Sequence, residues 1–573
     1  MTRAWSLVLH THLPYLKGHG VWPVGEEWLF EAWAGSWLPV TAVLERLADD
    51  GMRDVLTLGV TPLVAHQVRD PDLVRDFGTW LGGQMWRSEE QRWHGWMGPE
   101  VVDLATFYWR HYAALLDYHA DVQARGGLTA VWADLAARGV IELLGGPATH
   151  PYLPLVPDPA EIDAQLAQGL DDHAAWAGRR PSGLWPPELG YRPAGPVADP
   201  TLPPLHVDAY GTPTLRRTGP DLPGLEHHYA AQGIDHVLVD TATLWAADGR
   251  PERDWTAHEV LDPDEAAGFD LLHEGVLIGD SEVAAYARDV TVSAHVWSSD
   301  SGYPADEWYR DFFARGTFGT HPSWRVTDRT LPPDAKQPYV PAAAARRAAV
   351  HAEHFVGVLH ETLAAHPDGH VVTAFDTELF GHWWFEGPAW LEAVLRRVAD
   401  DDDLVTTTLA TRRRARPPTR RVALPESSWG YAKSHASWVT EDTRPMWQTL
   451  ADARRRARTT LTGGRGTPTV RGQIARELAL LATSDWPYMA VRGNAAEYAR
   501  QRVAAHAGAV TRLCDLVEAG RDDDPAIARL VDLDRAPAEV DLLLAALDPG
   551  GPEAAQTSRS RISTAAARVN TTT

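Results

Sequence analysis

Through its first 410 or so residues the chain alternates short apolar, β-branched runs with long helical patterns, and this alternation limits its fold more than any other feature. The strand-like runs are WSLVLHTH (5–12), RDVLTLGVTP (53–62), VIELLGGPATH (140–150), PSGLWPPELG (181–190), DHVLVDTA (235–242), VTVSAHVW (290–297) and HVVTAFDTEL (370–379). Between them lie helical stretches such as DLATFYWRHYAALLDYHADVQARG (103–126), PAEIDAQLAQGLDDHAAWAG (159–178) and PAAAARRAAVHAEHFVGVLHETLAAH (341–366). Strands that alternate with helices form a parallel sheet with the helices packed outside it, as a barrel or as a doubly wound sheet. The polar residues choose between the two. His10 and His12 together, His150, Glu188, Trp297 and Asp376 fall at or just after the ends of five different runs, the distribution that a TIM-like barrel presents on its active face. Seven runs predict an incomplete TIM-like barrel.

The rest of the chain reads differently. Residues 411–428 are rich in Arg and Pro and form a connector. From 429 to 525 the periods are helical, with apolar residues three and four apart, which predicts a small α-helical domain. An acidic and then Ser/Thr-rich tail follows at 526–573, expected to be disordered towards its end. The barrel domain therefore spans 1–410, with inserted loops at about 195–275. At 573 residues the chain is long enough for this division.

Charge and cysteine content exclude several classes. The net charge is -24, from 77 acidic and 53 basic residues. Such a surface repels nucleic acid and anionic membranes. The basic run RRRAR at 454–458 reads as one solvated face of a helix. No apolar run is long enough to span a bilayer, and the N-terminal MTRAWSLVLHTH reads as a buried strand and not as a secretion signal. A single cysteine, Cys514, excludes an internal disulfide and fits a cytoplasmic, reducing compartment. A neutral substrate suits this chain, and sugars are neutral.

The 25 tryptophans are the compositional outlier. Most pack in the core. Those clustered with Gly, Pro and His in loops (Trp22/Trp28/Trp33/Trp37, Trp93/Trp96, Trp383/Trp384, Trp429/Trp438/Trp447) suit the faces of pyranose rings. Glu188, in LWPPELGYRP, has only Trp, Pro, Leu, Gly and Tyr as near neighbours, so a surface ion pair is excluded and a shaped cavity is favoured. Asp376, in AFDTELFGHWWFEGP, ends an apolar run. It is either a helix cap or a group at the barrel mouth, and it shares strand parity with Glu378. His382, Trp383 and Trp384 make a sugar platform beyond it. Two carboxylates on different strand ends among indoles point to glycosidic-bond chemistry, the retaining form of which places the carboxyl groups about 5–5.5 Å apart. His10 and His12 share a strand face, and with His150 they offer either sugar contacts or a metal site. Sugar contact is the stronger reading, because no tight ligand motif accompanies them.

HTHLPY, VWPVGEEWLFEA, GGPATH, LWPPELGYRP, the ARD…VW…GYP series at 287–304, FDTELFGHWWFEGP, SSWG at 427–430 and RELALLATSDWP together resemble glycoside hydrolase family 57, most closely its 1,4-α-glucan branching members. The resemblance covers nearly all of residues 5–520. It implies a (β/α)7 barrel followed by an α-helical domain, no metal or other cofactor, and an α-1,4-glucan as substrate. It implies Glu188 as nucleophile and Asp376 as general acid/base of a retaining mechanism. It places His10, His12 and His150 near the donor sugar, with Trp28, Trp297, Trp429 and Trp438 as an aromatic gate. Tyr191, Asp300, His382 and Trp383, within the matching motifs, are further expected substrate contacts.

Two departures bear on what accepts the cleaved chain. SSWG is followed here by YAKSHASW, where the family commonly has a Gly-rich turn. The loop that in branching members carries a tyrosine corresponds to AADGRPERDW (246–255), and no Tyr occurs between Tyr229 and Tyr286, which leaves Trp255 to shield the intermediate. The competing functions are an α-1,4-glucan hydrolase or a 4-α-glucanotransferase on the same scaffold, a non-catalytic glucan-binding protein, and a metal-dependent carbohydrate deacetylase.

Overall fold

The computed structural model describes residues 3–93, 98–209, 211–256, 260–266, 268–314 and 321–551. Trp96 and the Ser/Thr-rich stretch after 551 lie outside the described residues.

Seven parallel strands form the centre: β1 (Arg3–Thr11), β2 (Leu56–Val60), β3 (Ile141–Leu144), β4 (Gly183–Leu184), β5 (His236–Asp240), β6 (Ala284–Arg288) and β7 (His370–Asp376). Backbone pairing runs β7-β1-β2-β3 and β4-β5-β6. A parallel bridge between Gly145 and Leu184 joins β3 to β4. The Asp289 N–H donates to the Val372 carbonyl at 2.8 Å and closes β6 onto β7. The ring is thus a barrel of seven strands. Their apolar runs are nearly continuous because both faces are covered, the inner by the barrel interior and the outer by helices. Val8, Leu144, Trp185, Leu238, Ala284, Val372 and Ala374 share the interior cluster, whereas Trp5, Leu7, Leu9 and Phe375 pack outward on the helices.

Six of the seven strand-like runs contain a barrel strand. The exception is VTVSAHVW, which is a helix, Val290–Trp297; the strand is the preceding AAYAR. Asp289 decides this by accepting from the Val292 N–H, an N-cap that starts a helix despite the β-branched residues. Trp297 therefore sits at a helix C-terminus and not at a strand end.

After the connector come α1 (Arg444–Leu461), α2 (Pro468–Leu481), α3 (Asp485–Arg492) and α4 (Ala496–Glu518). Leu450, Ile474, Leu478, Val510, Leu513 and Cys514 fill one core between them. Two more helices, Pro525–Leu533 and Asp541–Leu547, add Ile527, Leu543 and Leu544 to it, so helical packing continues past residue 525, where the sequence places the start of a tail. The Arg454–Arg458 run is paired. Arg454 reaches Glu161, Arg456 reaches Asp515 and Glu518, and Arg458 reaches Asp158, contacts that tie α1 to the barrel as well as to α4. No helix among the described residues is long and apolar enough to cross a membrane.

Candidate active site

Register places the first two groups. His10 of β1 lies opposite Asp376 of β7, so both reach the same open end of the barrel. Asp376 caps nothing: its side chain accepts no hydrogen bond from the turn that follows. Glu188 follows β4 in the turn Pro187–Leu189, with φ 63° and ψ 21°. For a side-chain-bearing residue the left-handed region costs about 1–2 kcal/mol. The flanking prolines and a hydrogen bond from the Trp429 N–H to the Glu188 carbonyl, 3.0 Å, hold it there. His150, φ 55°, is a second residue in that region at the same mouth.

The two carboxyl groups have different surroundings. One Glu188 oxygen accepts from the Ser484 hydroxyl at 2.8 Å and the other from the Trp429 indole N–H at 2.9 Å. Burial raises the Glu188 carboxyl above its ordinary value, while these two donors act in the opposite direction by favouring the anion. Asp376 accepts no side-chain hydrogen bond among the described residues. Burial first, and the Glu188 charge second, push it up to about 7. Glu378 does not share its face. It lies in the turn Thr377–Leu379, where strand parity lapses, and accepts from the Trp37 indole at 2.6 Å inside the shell.

The three histidines form one stack joined by a hydrogen-bond chain. His10 lies on Trp185, with centroids 4.3 Å apart and planes 5° apart, and His12 lies 3.8 Å from His150. His10 Nε2 meets His150 Nε2 at 3.2 Å, and His150 Nδ1 meets Ser484 Oγ at 3.0 Å. His12 meets Thr61 Oγ1 at 3.1 Å and Asp485 at 3.1 Å. Burial and the His12 charge hold His10 well below its ordinary value, and His150 likewise. Burial also opposes charge on His12, but the Asp485 carboxylate outweighs it and His12 is raised. His12, His150 and Asp485 bring potential metal-ligand atoms within 4.8 Å of one another. Both ring nitrogens of each of these two histidines are already engaged in the chain just described, so the arrangement reads as a hydrogen-bond network.

The expected aromatic contacts separate into three groups. Trp429 is central: it bonds Glu188, its ring lies 5.3 Å from Trp185 and 6.1 Å from Trp297, and the Arg288 guanidinium sits over it at 5.6 Å. Trp297 continues to Trp383 at 6.3 Å, so these rings form one wall. Half-buried Trp28 packs between the barrel and helical cores. Trp438 lies behind the wall. It is fully buried, stacked on Tyr152 at 4.4 Å, and against Gly430, where any Cβ would come within 2.6 Å of its ring. Trp447 is buried in α1 and donates to the Trp438 carbonyl. These two tryptophans support the wall; they are not part of its surface.

Four other expected contacts have protein partners of their own. The Tyr191 hydroxyl is buried on Glu226 at 2.6 Å. Asp300 is solvent-exposed and paired with Arg329. Buried His382 meets the edge of Phe312. Trp255 packs edge-on against Trp245 at 6.1 Å with Arg253 over its ring. The residues that the sequence reading missed are Ser484 and Asp485, Trp185 beneath His10, and Arg288. The local signal for the first two was Ser-Asp at the start of α3, which reads as an ordinary helix start; only the fold shows what they touch.

A seven-stranded barrel with paired carboxylates, a histidine stack and an indole wall at its mouth defines a carbohydrate-active enzyme, and the chain belongs to glycosyl hydrolase family 57, whose model matches residues 6–424. The model of the 1,4-alpha-glucan branching enzyme C-terminal region matches residues 448–542. The chain is 35% identical over 550 residues to a probable 1,4-alpha-glucan branching enzyme of Mycobacterium tuberculosis, covering 90% of this chain and 93% of the relative. It is 31% identical to a 1,4-alpha-glucan branching enzyme of Thermococcus kodakarensis, covering 89% and 73%. The crystal structure of that archaeal enzyme, in complex with glucose and additives, superposes with a TM-score of 0.85 at 30% identity, covering 96% of this chain and 97% of the other. An α-amylase from Thermotoga maritima shares the fold, with a TM-score of 0.78 at 23% identity over 95% and 99% of the two chains.

Proposed function

We propose that Glu188 and Asp376 carry the 1,4-α-glucan branching reaction of this chain. The Glu188 carboxylate attacks the anomeric carbon of an α-1,4-linked donor while Asp376 gives its proton to the glycosidic oxygen, which leaves as a hydroxyl. The donor chain is then esterified on Glu188. A glucan 6-hydroxyl displaces it, giving its proton to the Asp376 carboxylate, and the α-1,6 bond forms with retained configuration. The observation that carries this reading is the contrast between the acids. Glu188 has donors on both oxygens, and Asp376 has none and sits near 7. The two donors favour the Glu188 anion, and their absence leaves Asp376 the readier acid, the split in environment that assigns such roles.

His10, His12 and His150 line the donor side, and Trp28, Trp297, Trp383 and Trp429 carry the sugar rings. The substrate is an α-1,4-glucan. Trp255 is the group assigned to shield the ester from water. Its packing on Trp245 and Arg253 favours a second reading in which water competes and hydrolysis gains. Incubation with amylose, followed by enzymatic debranching and chain-length analysis, tests both. New α-1,6 linkages with little free reducing sugar are expected; mostly new reducing ends would assign the chain to hydrolysis. Trp255→Ala should shift the product ratio towards reducing ends, and an unchanged ratio removes the shield.

A further inference from the structure

A second cavity, about 600 Å³, opens at the end of the barrel opposite the acids, lined in part by His273, Tyr286, His366, Arg412 and Arg416. It lies between the turn that precedes β7 and the connector, and Gly369, which lines it, is seven residues before Asp376. At about 3.3 Å per residue the two sites stand roughly 20 Å apart. The volume is that of a small-molecule site.

Three features make its interior a place for an anion. Tyr286 is 2% exposed, its ring belongs to the barrel's interior cluster, and among the described residues its hydroxyl has no hydrogen-bond partner. The Nδ1 of buried His273 likewise has no partner among the described residues. A buried polar atom left unpaired costs about 1–3 kcal/mol, so such atoms call for an explanation. The third feature is Arg412. Its Nη2 donates to the Asp368 carbonyl at 2.8 Å, and among the described residues it forms no ion pair with a carboxylate. Burial and the neighbouring Arg416 both work against its charge.

The carboxylates around the cavity do not cancel this. Asp368 is bound by Arg416 at 2.7 Å, and Arg420, also in the lining, by Asp248 at 2.9 Å. Asp270 and Glu274 are exposed, and Asp270 faces His366 at 3.6 Å. Arg413, Glu142 and Asp235 also act on the Tyr286 hydroxyl, but Glu142 is paired with His236 at 2.8 Å and Asp235 with Arg413 at 3.5 Å, which leaves the half-buried Arg412 guanidinium beside the buried hydroxyl. A guanidinium fork with a hydroxyl donor suits a tetrahedral oxyanion. The remaining volume far exceeds a bare phosphate, and its walls include Pro367, Pro417 and Pro418.

We propose that this cavity binds a hexose-sized phosphate monoester, with its phosphate on Arg412 and the Tyr286 hydroxyl. The site is independent of the glycosidic chemistry at the other end. Calorimetric titration of the full chain with glucose 6-phosphate, inorganic phosphate and glucose tests it. Saturable binding of the ester is expected, with at least tenfold weaker binding of inorganic phosphate and none of glucose. Arg412→Met and the shape-conserving Tyr286→Phe should each weaken the ester at least tenfold while leaving the branching rate unchanged. Glu188→Gln should bind it as the wild type does, so the two sites fail separately. Absence of binding, equal affinity for glucose or for inorganic phosphate, or full affinity in the folded Arg412→Met and Tyr286→Phe variants would overturn the proposal.

Discussion

The barrel and the helical region contribute differently to one site. The barrel brings Glu188, Asp376 and the three histidines to its mouth on strand ends. Residues that favour their charged or neutral forms come from elsewhere: Ser484 and Asp485 lie where α2 passes into α3, and Trp429 directly follows the connector. A carboxylate in a buried site is costly unless donors reach it. Glu188 receives both of its donors from beyond residue 425, and Asp376, reached by neither, is held near neutrality. The helical region therefore shares in setting the electrostatics around these two acids.

The comparison is most strongly tested by removing the reactive groups. Glu188→Gln should lower branching activity by on the order of 10⁴-fold or more with the fold intact, read by product analysis and circular dichroism. Substantial turnover would end the nucleophile assignment. Asp376→Asn should cost roughly 10²–10⁴-fold. Because Asp376 must hold a proton to act as acid, wild-type activity should fall as pH rises through about 7.

The same carboxyl links activity to stability. Its folded pKa is raised, so its favourable contribution is full below the ordinary aspartate value and is lost as pH rises through about 7. Asp376→Asn should therefore be more stable than wild type at pH 8 by about 1–3 kcal/mol, read by denaturant unfolding, with little difference near pH 4. An equal difference at both pH values would remove the buried-acid argument.

Ser484→Ala sharpens the role of the helical region. Losing a donor to the anion should move the acidic limb of the pH–rate profile upwards and cost roughly tenfold in kcat/KM, with Ser484→Thr restoring both. A variant with lower activity but an unmoved limb would make Ser484 merely structural. The smallest effect belongs to Asp485→Asn, which should lower the His12 pKa, followed by NMR titration, and cost less than about tenfold in rate. An unmoved His12 titration would show that Asp485 does not set its charge.

Much of this was legible in the chain. Six strand runs, the two acids and the histidine pair could be read because local pattern reports burial on both faces and the ends of runs report the barrel mouth. VTVSAHVW misled because a single cap, Asp289, overrode β-branched content. Trp438 misled because a tryptophan in a Gly- and Ser-rich loop looks like a sugar platform, and only packing against Tyr152 and Gly430 reveals a support. Asp300 and Tyr191 sit in matching motifs, yet Arg329 and Glu226 occupy them.

Alternation and strand-end pattern, then, determined the parallel barrel, the helical region after it and the place of Glu188 and Asp376 at the barrel mouth, because periodicity and the ends of buried runs are local properties of the chain. The tertiary structure alone decided which acid receives hydrogen-bond donors and which does not. Charge state depends on donors and burial supplied by residues nearly 300 positions away in sequence, Ser484 to Glu188 above all, and no local pattern carries that information.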